Sequence, residues 1–431
     1  MFRPVEKNFD LVASEHEILK LWEDTQAFRK LREKNAGKPK WSFLDGPITA
    51  NNPMGVHHAW GRTLKDCYQR FHAMTGHELR YQNGFDCQGL WVEVEVEKQF
   101  GFKDKREIEA FGLEKFINAC KERVNKYAQV QTAQSVRLGF WMDWDQGADW
   151  QKDPGQRRSY FTMSDENNYT IWAFLKKCHQ RGLVYKGLDA MPWCPRCGTG
   201  ISEQERREGY KRITDLAVYI KLPLRDRPGE HLLVWTTTPW TLVANVACAV
   251  HPELVYCKVR QNDEIYYISR ERLTVMKERG AYEVIEELPG SRLLGLEYRG
   301  PFDDLPEPAR HVKAHVIIPW KDVTATDGTG IVHIAPGCGK EDFDLSKQLQ
   351  MPVIAPIDDA GIYKPDFGFL TGLYAGSVAE KVLEELRKRN VYYKKENYEH
   401  DYPHCWRCAT QLLFRSVDEW YISMSWREEI M

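Results

Sequence analysis

Four cysteines at two identical spacings, Cys194-Pro-Arg-Cys197 and Cys405-Trp-Arg-Cys408, are the side chains of this sequence best suited to hold an ion. Each pair can clamp one metal, and four thiolates in a tetrahedron are the donor set that structural zinc takes. If all four serve one ion, the long stretch between them is an insertion whose entry and exit strands the metal staples together. A redox role explains one CxxC but not a second like it; two half-sites closed by other ligands such as His404 are the remaining alternative. The other seven cysteines (Cys67, Cys87, Cys120, Cys178, Cys248, Cys257 and Cys338) are scattered and suit small apolar positions.

A second kind of chemistry lies in Trp235-Thr-Thr-Thr-Pro-Trp-Thr241. Hydroxyls at Thr236, Thr237, Thr238 and Thr241, bent around Pro239, can line a small pocket that hydrogen-bonds a ribose or an amino acid and excludes a larger side chain. A threonine-rich strand end explains this stretch equally well when taken alone. A second loop beginning at Gly328 favours the pocket.

The elements that position these residues are legible from periodicity. Ser14 with Glu17 forms a capping-box pattern, and Ile18, Leu21 and Trp22 follow at helical spacing, which predicts a helix over about 14–33. Trp41 to Asp45 reads as a buried strand. After the loop Gly46 to Gly55, Trp60, Leu64, Cys67, Phe71 and Met74 mark one face of a helix that stops at Thr75-Gly76, and Glu78 to Gln82 reads as another strand. Strand, loop, helix and strand make a βαβ unit, whose ligand site belongs where the loop meets the helix N-terminus. Residues 92–181 are mainly helical, with Ile117, Cys120, Val124 and Tyr127 on one face and Ile171, Phe174, Leu175 and Cys178 on another. From Ile213 the period changes to two, and short β-rich runs continue to Ala335, which sets off a separate β-rich domain over about 205–390, closed by a helix carrying Val378, Val382 and Leu386.

Bulk composition agrees with a folded chain of two or three domains: 431 residues, 42% hydrophobic and 12% aromatic. Lys and Arg number 60 against 62 Asp and Glu, so any contact with nucleic acid is local rather than driven by an overall field. No apolar run of membrane-spanning length occurs, and Met-Phe-Arg-Pro-Val-Glu-Lys-Asn lacks the apolar core of a signal peptide. The expectation is a cytoplasmic protein without a membrane partner, in which eleven cysteines do not imply structural disulfides.

Taken together and in order, Asp45-Gly-Pro47 with the His-containing helix start, Gly84-Phe-Asp86-Cys-Gln-Gly-Leu90, Trp193-Cys-Pro-Arg-Cys197, Thr236 to Thr241, Gly328-Thr-Gly-Ile-Val-His-Ile-Ala-Pro336 and Tyr402-Pro-His-Cys-Trp-Arg-Cys408 resemble the isoleucyl branch of the class I aminoacyl-tRNA synthetases over essentially the whole chain. The resemblance implies an α/β fold, a Rossmann-like nucleotide-binding half-domain interrupted by a β-rich editing insertion with a CxxC/CxxC zinc staple. Residues 1–190 would hold the N-terminal helix and first catalytic half, 191–204 the first zinc-binding strand, 205–390 the editing domain, and 391–431 the return segment with the second CxxC. The implied activity is ATP-dependent activation of isoleucine, with Mg²⁺, transfer to tRNA(Ile), and hydrolysis of Val-tRNA(Ile). One methylene in an apolar pocket is worth only about 1–3 kcal/mol, a limit for which isoleucine against valine in these enzymes is the standard illustration, so a second and smaller pocket multiplies the discrimination.

Residue by residue, the resemblance places isoleucine near Pro47, Asp86 and Gln88, with Asp86 pairing to the substrate ammonium. It places ATP at Gly55, His57 and His58. The family's His-x-Gly-His is here Gly55-Val56-His57-His58, with the first and third positions exchanged, and Phe85, Gln88 and Trp91 replace the usual Trp, His and Pro. Two readings of the exchange stand: His57 reaches phosphate from the neighbouring position with Gly55 supplying the room, or nucleotide binding is weakened or lost. In the insertion, Asp342 anchors the amino group of the misacylated residue, with His333 in the same loop and Thr236, Thr237, Thr238, Thr241 and Asn245 on the facing wall. The family's Lys-Met-Ser-Lys-Ser loop and anticodon-binding domain find no counterpart up to Met431. Three expectations stand: part of a synthetase whose remaining catalytic half comes from another polypeptide or a longer one, a free-standing hydrolase of mischarged tRNA, or a non-catalytic binding module.

Overall fold

The computed structural model describes residues 9–431 apart from Leu44, and they form two compact units, one ending at Leu183 and the other spanning Val184–Met431. The first eight residues, on which the reading of the N-terminus rests, and Leu44, inside the expected strand 41–45, lie outside the described residues.

In the first unit the helix expected over 14–33 is two helices, Leu11–Thr25 and Ala27–Asn35, broken at Gln26, which takes a left-handed backbone with φ of 52°. The cap is Asp10, whose carboxylate accepts the Ala13 N–H at 3.0 Å, and not Ser14. A carboxylate placed just before the first turn satisfies a free helix N–H, and it does so one turn earlier than the Ser14/Glu17 pattern implied. The expected strand 41–45 is shorter, Lys40–Trp41, and pairs in parallel with Glu78–Leu79. The helix Val56–Met74 joins them, so the βαβ unit is present. A second parallel sheet sets Gly84–Asp86 between Ile48–Thr49 and Tyr160–Phe161.

The long helix Leu113–Arg137 fixes the loop between these strands. Its Gln131 amide donates to the carbonyls of Thr49 and Asn52, Arg123 donates to Asn51, and Gln134 accepts the Met54 N–H. The apolar stripe of Val56–Met74 is where periodicity put it, but it faces outward: Trp60 is 69% and Met74 83% exposed, and Leu64 and Phe71 are also exposed. The buried side is occupied by Arg62, Gln69 and Ala73. Ile171 and Phe174 on Asp165–Gln180, and Ile117 on Leu113–Arg137, are exposed as well.

The second unit is built on a sheet of ten strands among the described residues. Glu230–Thr236 sits at its centre, antiparallel to Tyr210–Pro223 on one side and parallel to Glu264–Ser269 and Val332–Ile334 on the other. Val332–Ile334 leads on through Ala247–Val250 to His315–Pro319 and Glu297–Tyr298. Alternation along these strands buries Val218, Ile220, Leu222, Leu232 and Val234 completely. The helix Ala379–Lys388 follows the expected pattern, and the sheet continues past residue 390 in Tyr392–Pro403, which pairs along Tyr210–Pro223. A smaller sheet pairs Val184–Cys194 with Leu413–Ile422, bringing the two cysteine motifs side by side. Among the described residues no helix is long and apolar enough to cross a membrane.

Candidate functional site

Cys194 ends one strand of the small sheet, and Cys405 and Cys408 lie in the loop that precedes the other. All eleven cysteines are free. The Sγ atoms of Cys194, Cys197, Cys405 and Cys408 all lie within 4.8 Å of one another, with Cys194 to Cys408 at 3.5 Å, Cys197 to Cys408 at 3.6 Å and Cys197 to Cys405 at 4.0 Å. A tetrahedral thiolate site with metal–sulfur bonds of about 2.3 Å puts its sulfurs roughly 3.8 Å apart, so the spacing fits one ion. Each motif ends in a left-handed residue, Gly198 and Ala409, both with φ of 61°, which curls the chain back over its sulfurs. His404 is outside this cluster, its Nδ1 lying 2.9 Å from the Tyr402 carbonyl.

The threonine stretch leaves the central strand at Thr236 and turns through a short 3-10 segment, Pro239–Ala244, tied down by the Tyr363 hydroxyl donating to the Trp240 carbonyl at 2.6 Å. It forms one wall of a cavity of about 220 Å³. Thr236, Thr237, Thr238 and Thr241 face Gly328, Thr329, His333, Ala335, Cys338 and Asp342 across it. Gly328 adopts φ of +56° with Trp235 packed against it, so a side chain there meets both backbone strain and the indole.

Asp342 lies in the first turn of the helix Lys340–Leu349. Its Oδ2 accepts the Ala335 N–H at 2.7 Å, and burial in the cavity wall raises its pKa to about 6. Lys340 anchors the start of that helix to Asp189 on the first cysteine strand at 2.8 Å. His333 is buried and lies between Thr241 and Asn245, and burial, assisted by His315, pushes its pKa down to about 3. The imidazole is neutral at physiological pH and, holding a proton so weakly, is a poor general base. Asn245 does not reach the cavity: it is buried behind His333, where its amide bonds the ring and the Ala247 carbonyl. Trp235, Asp327, Thr329, Ile331, Val332, Ala335 and Cys338 also line the space; Trp235 opens the threonine stretch, Thr329, Ile331, Val332 and Ala335 lie in the Gly328-to-Pro336 motif, and Asp327 and Cys338 lie just outside it.

In the first unit, Gly55 caps the helix Val56–Met74, and its N–H donates to His58 Nδ1 at 3.1 Å. That bond leaves the His58 Nε2–H free to donate. His57 is exposed with its ring 3.9 Å from that of His58, and the pKa of His58 is lowered by burial, then by His57 and Arg62. Asp86 ends its strand beside Thr49 and accepts from the hydroxyls of Thr49 at 3.0 Å and Thr162 at 3.3 Å. Pro47 immediately precedes the paired strand, and Gln88 is exposed, its amide donating to the Thr162 carbonyl at 2.9 Å. The buried Asp45 carboxylate pairs with Lys65, and its carbonyl accepts the Tyr160 hydroxyl.

A parallel α/β core entered at a glycine-capped helix, with a β-rich unit carrying its own hydroxyl-lined cavity, is the organisation of a class I synthetase. The family model described as tRNA synthetases class I (I, L, M and V) matches residues 17–430, and the chain belongs to that family. It is 37% identical to the isoleucine-tRNA ligase of Streptomyces coelicolor over 98% of this chain and 39% of that protein, and 39% identical to that of Pyrococcus horikoshii over 95% and 38%. The chain thus spans less than two fifths of the length of these relatives. Among solved structures, the editing domain of the Plasmodium knowlesi cytosolic leucyl-tRNA synthetase aligns with 43% of this chain and 98% of its own at 11% identity, with a TM-score of 0.34.

Proposed function

We propose that the chain carries the hydrolytic editing site and the first catalytic half of an isoleucine-tRNA ligase, the cavity of the second unit removing valine from Val-tRNA(Ile). The carrying observation is the convergence of Thr236, Thr237, Thr238 and Thr241 with Asp342 around one small cavity. The ionised Asp342 carboxylate pairs with the ammonium of the misacylated residue and orients the ester for attack by water, a positioning role rather than a strongly basic one.

In this reading Cys194, Cys197, Cys405 and Cys408 hold one structural zinc that closes the base of the unit. The first unit binds isoleucine near Pro47, Asp86 and Gln88, and ATP with Mg²⁺ at Gly55, His57 and His58. The exchanged motif keeps a donor near the helix N-terminus: the Gly55 N–H occupies His58 Nδ1, which leaves the Nε2–H to donate to a bound anion. The exposed stripe of Val56–Met74 is the surface onto which the remaining polypeptide of the catalytic fold packs. Localisation in the cytoplasm, where tRNA is charged, belongs to the same reading.

The test is deacylation of Val-tRNA(Ile) by the purified chain. Rapid loss of valine with Ile-tRNA(Ile) spared, reduced at least about 100-fold by Asp342→Ala, is the expected result. Equal hydrolysis of both esters, or full activity in the variant, overturns the assignment.

A further inference from the structure

Behind the threonine wall runs a buried hydrogen-bonded chain whose far end is Tyr298, fully buried on the strand Glu297–Tyr298. The Tyr298 hydroxyl lies 2.7 Å from Asn245 Oδ1, Asn245 Nδ2 lies 2.8 Å from His333 Nδ1, and His333 Nε2 lies 3.0 Å from Thr241 Oγ1. The direction of these bonds is fixed by two groups that only accept. Asn245 Nδ2 is 2.9 Å from the Ala247 carbonyl, so that atom must be the nitrogen and the other the oxygen. Tyr298 therefore donates, and the second amide proton goes to His333 Nδ1. At the cavity end, Thr241 Oγ1 is 2.9 Å from the Thr238 carbonyl, which takes the hydroxyl proton.

We propose that Tyr298 and Asn245 are positioning residues that lock His333 as the Nε2–H tautomer, so that Thr241 offers the cavity a lone pair and never a proton. The ring's own proton is spent on Thr241, and the Thr241 proton on Thr238. Thr241 then rewards a hydrogen-bond donor on the bound ester, and a second acceptor placed against it is repelled. The neighbouring His315 is itself held at 2.7 Å by Asp303, with its ring against Tyr298, so the group most able to perturb His333 is fixed by a carboxylate. The consequence for hydrolysis rests on the reading of the cavity as an editing site, while the tautomer does not.

The experiment is nitrogen NMR of the whole chain labelled with ¹⁵N-histidine, the His333 signals being assigned by their loss in His333→Gln. The wild-type chain is expected to show a pyridine-type Nδ1 and a pyrrole-type Nε2, both unchanged through the pH range where an ordinary histidine titrates. Asn245→Asp replaces the donor with an acceptor and is expected to move the proton to Nδ1. Tyr298→Phe leaves the Asn245 oxygen buried without its donor while the Ala247 carbonyl still fixes Nδ2, so the tautomer is expected to persist and Val-tRNA(Ile) deacylation to fall about tenfold, the loss expected for one buried bond left without its partner. A pyrrole-type Nδ1 in the wild-type chain, or the same tautomer in Asn245→Asp, overturns the proposal. If a variant fails to fold, the wild-type spectrum still decides. If the spectra are as expected but the wild-type chain spares Val-tRNA(Ile), the editing assignment fails and the locked tautomer stands.

Discussion

The two units cover apolar surface to very different degrees. In 184–431 the sheet closes over Leu222, Leu232, Val234 and Tyr267, each at most 1% exposed. In the first unit several helices carry apolar side chains outward, and the helix Val56–Met74 buries an arginine and a glutamine in place of its aromatic stripe. Arg62 lies under that helix with its guanidinium on Asn83 at 3.1 Å and over the rings of Phe140 and Trp144, and burial draws its pKa down to about 10. The difference teaches that a helical period identifies an apolar face without saying what the face packs against.

Paired substitutions test that contrast most directly. Leu232→Ala, inside the sheet, is expected to cost about 2–5 kcal/mol, whereas Leu64→Ala, on the outward stripe, should cost less than about 0.5 kcal/mol. Urea unfolding of the purified chain measures both. A large loss at Leu64 would mean that the stripe is already covered in solution, most simply by a second copy, and the loss would then depend on protein concentration.

The cysteine cluster sharpens the comparison from the other side, because it ties together two segments far apart in the chain. Metal analysis should find one zinc per chain, lost in Cys197→Ser. Removing it with a chelator should lower the thermal midpoint of the second unit by several degrees and leave the first unit's transition in place. A metal-free wild-type chain with an unchanged midpoint would return the four cysteines to ordinary buried thiols.

What was legible in the sequence follows from how local each signal is. The CxxC motifs carry their own geometry, so a metal clamp at each was readable, whereas the meeting of the four sulfurs within 4.8 Å depends on the fold and stood in the sequence beside half-site and redox alternatives. The Thr236 to Thr241 stretch and the Gly328 loop were also readable, since Pro239 and the left-handed Gly328 mark turns. Helix boundaries were less so: nothing in the composition around Gln26 announces a left-handed residue, and Asp10 precedes the apolar period that drew attention to Ser14. Asn245 lies behind His333 rather than on the cavity wall, because a sequence does not say which face of a wall a side chain takes. Tyr298 gave no signal at all; its partner is 53 residues away, and a lone tyrosine on a short strand reads as core.

The smallest effect is the most discriminating, because it sets stability against activity within one residue. Burial raises the Asp342 pKa from 3.8 to about 6, so the folded chain binds this proton more tightly than the unfolded chain does. The sign follows: protonation contributes stability that is fully present below the unfolded value near 3.8 and is lost as pH rises through about 6. At neutral pH the charged carboxylate is therefore a net cost of about 1–2 kcal/mol after allowance for solvent screening. Asp342→Asn keeps an oxygen for the Ala335 N–H and removes the charge, so it should leave the second unit as stable as wild type or slightly more so at pH 7 and no more stable at pH 4. Hydrolysis of Val-tRNA(Ile) should run the opposite way, falling in the wild-type chain as pH drops through about 6 and the carboxylate loses its charge, and lying near background in the variant at every pH. A variant less stable than wild type at pH 7 would show that the carboxylate is held by a partner stronger than one backbone N–H, and that its raised pKa is not the cost of keeping a charge ready for the substrate ammonium.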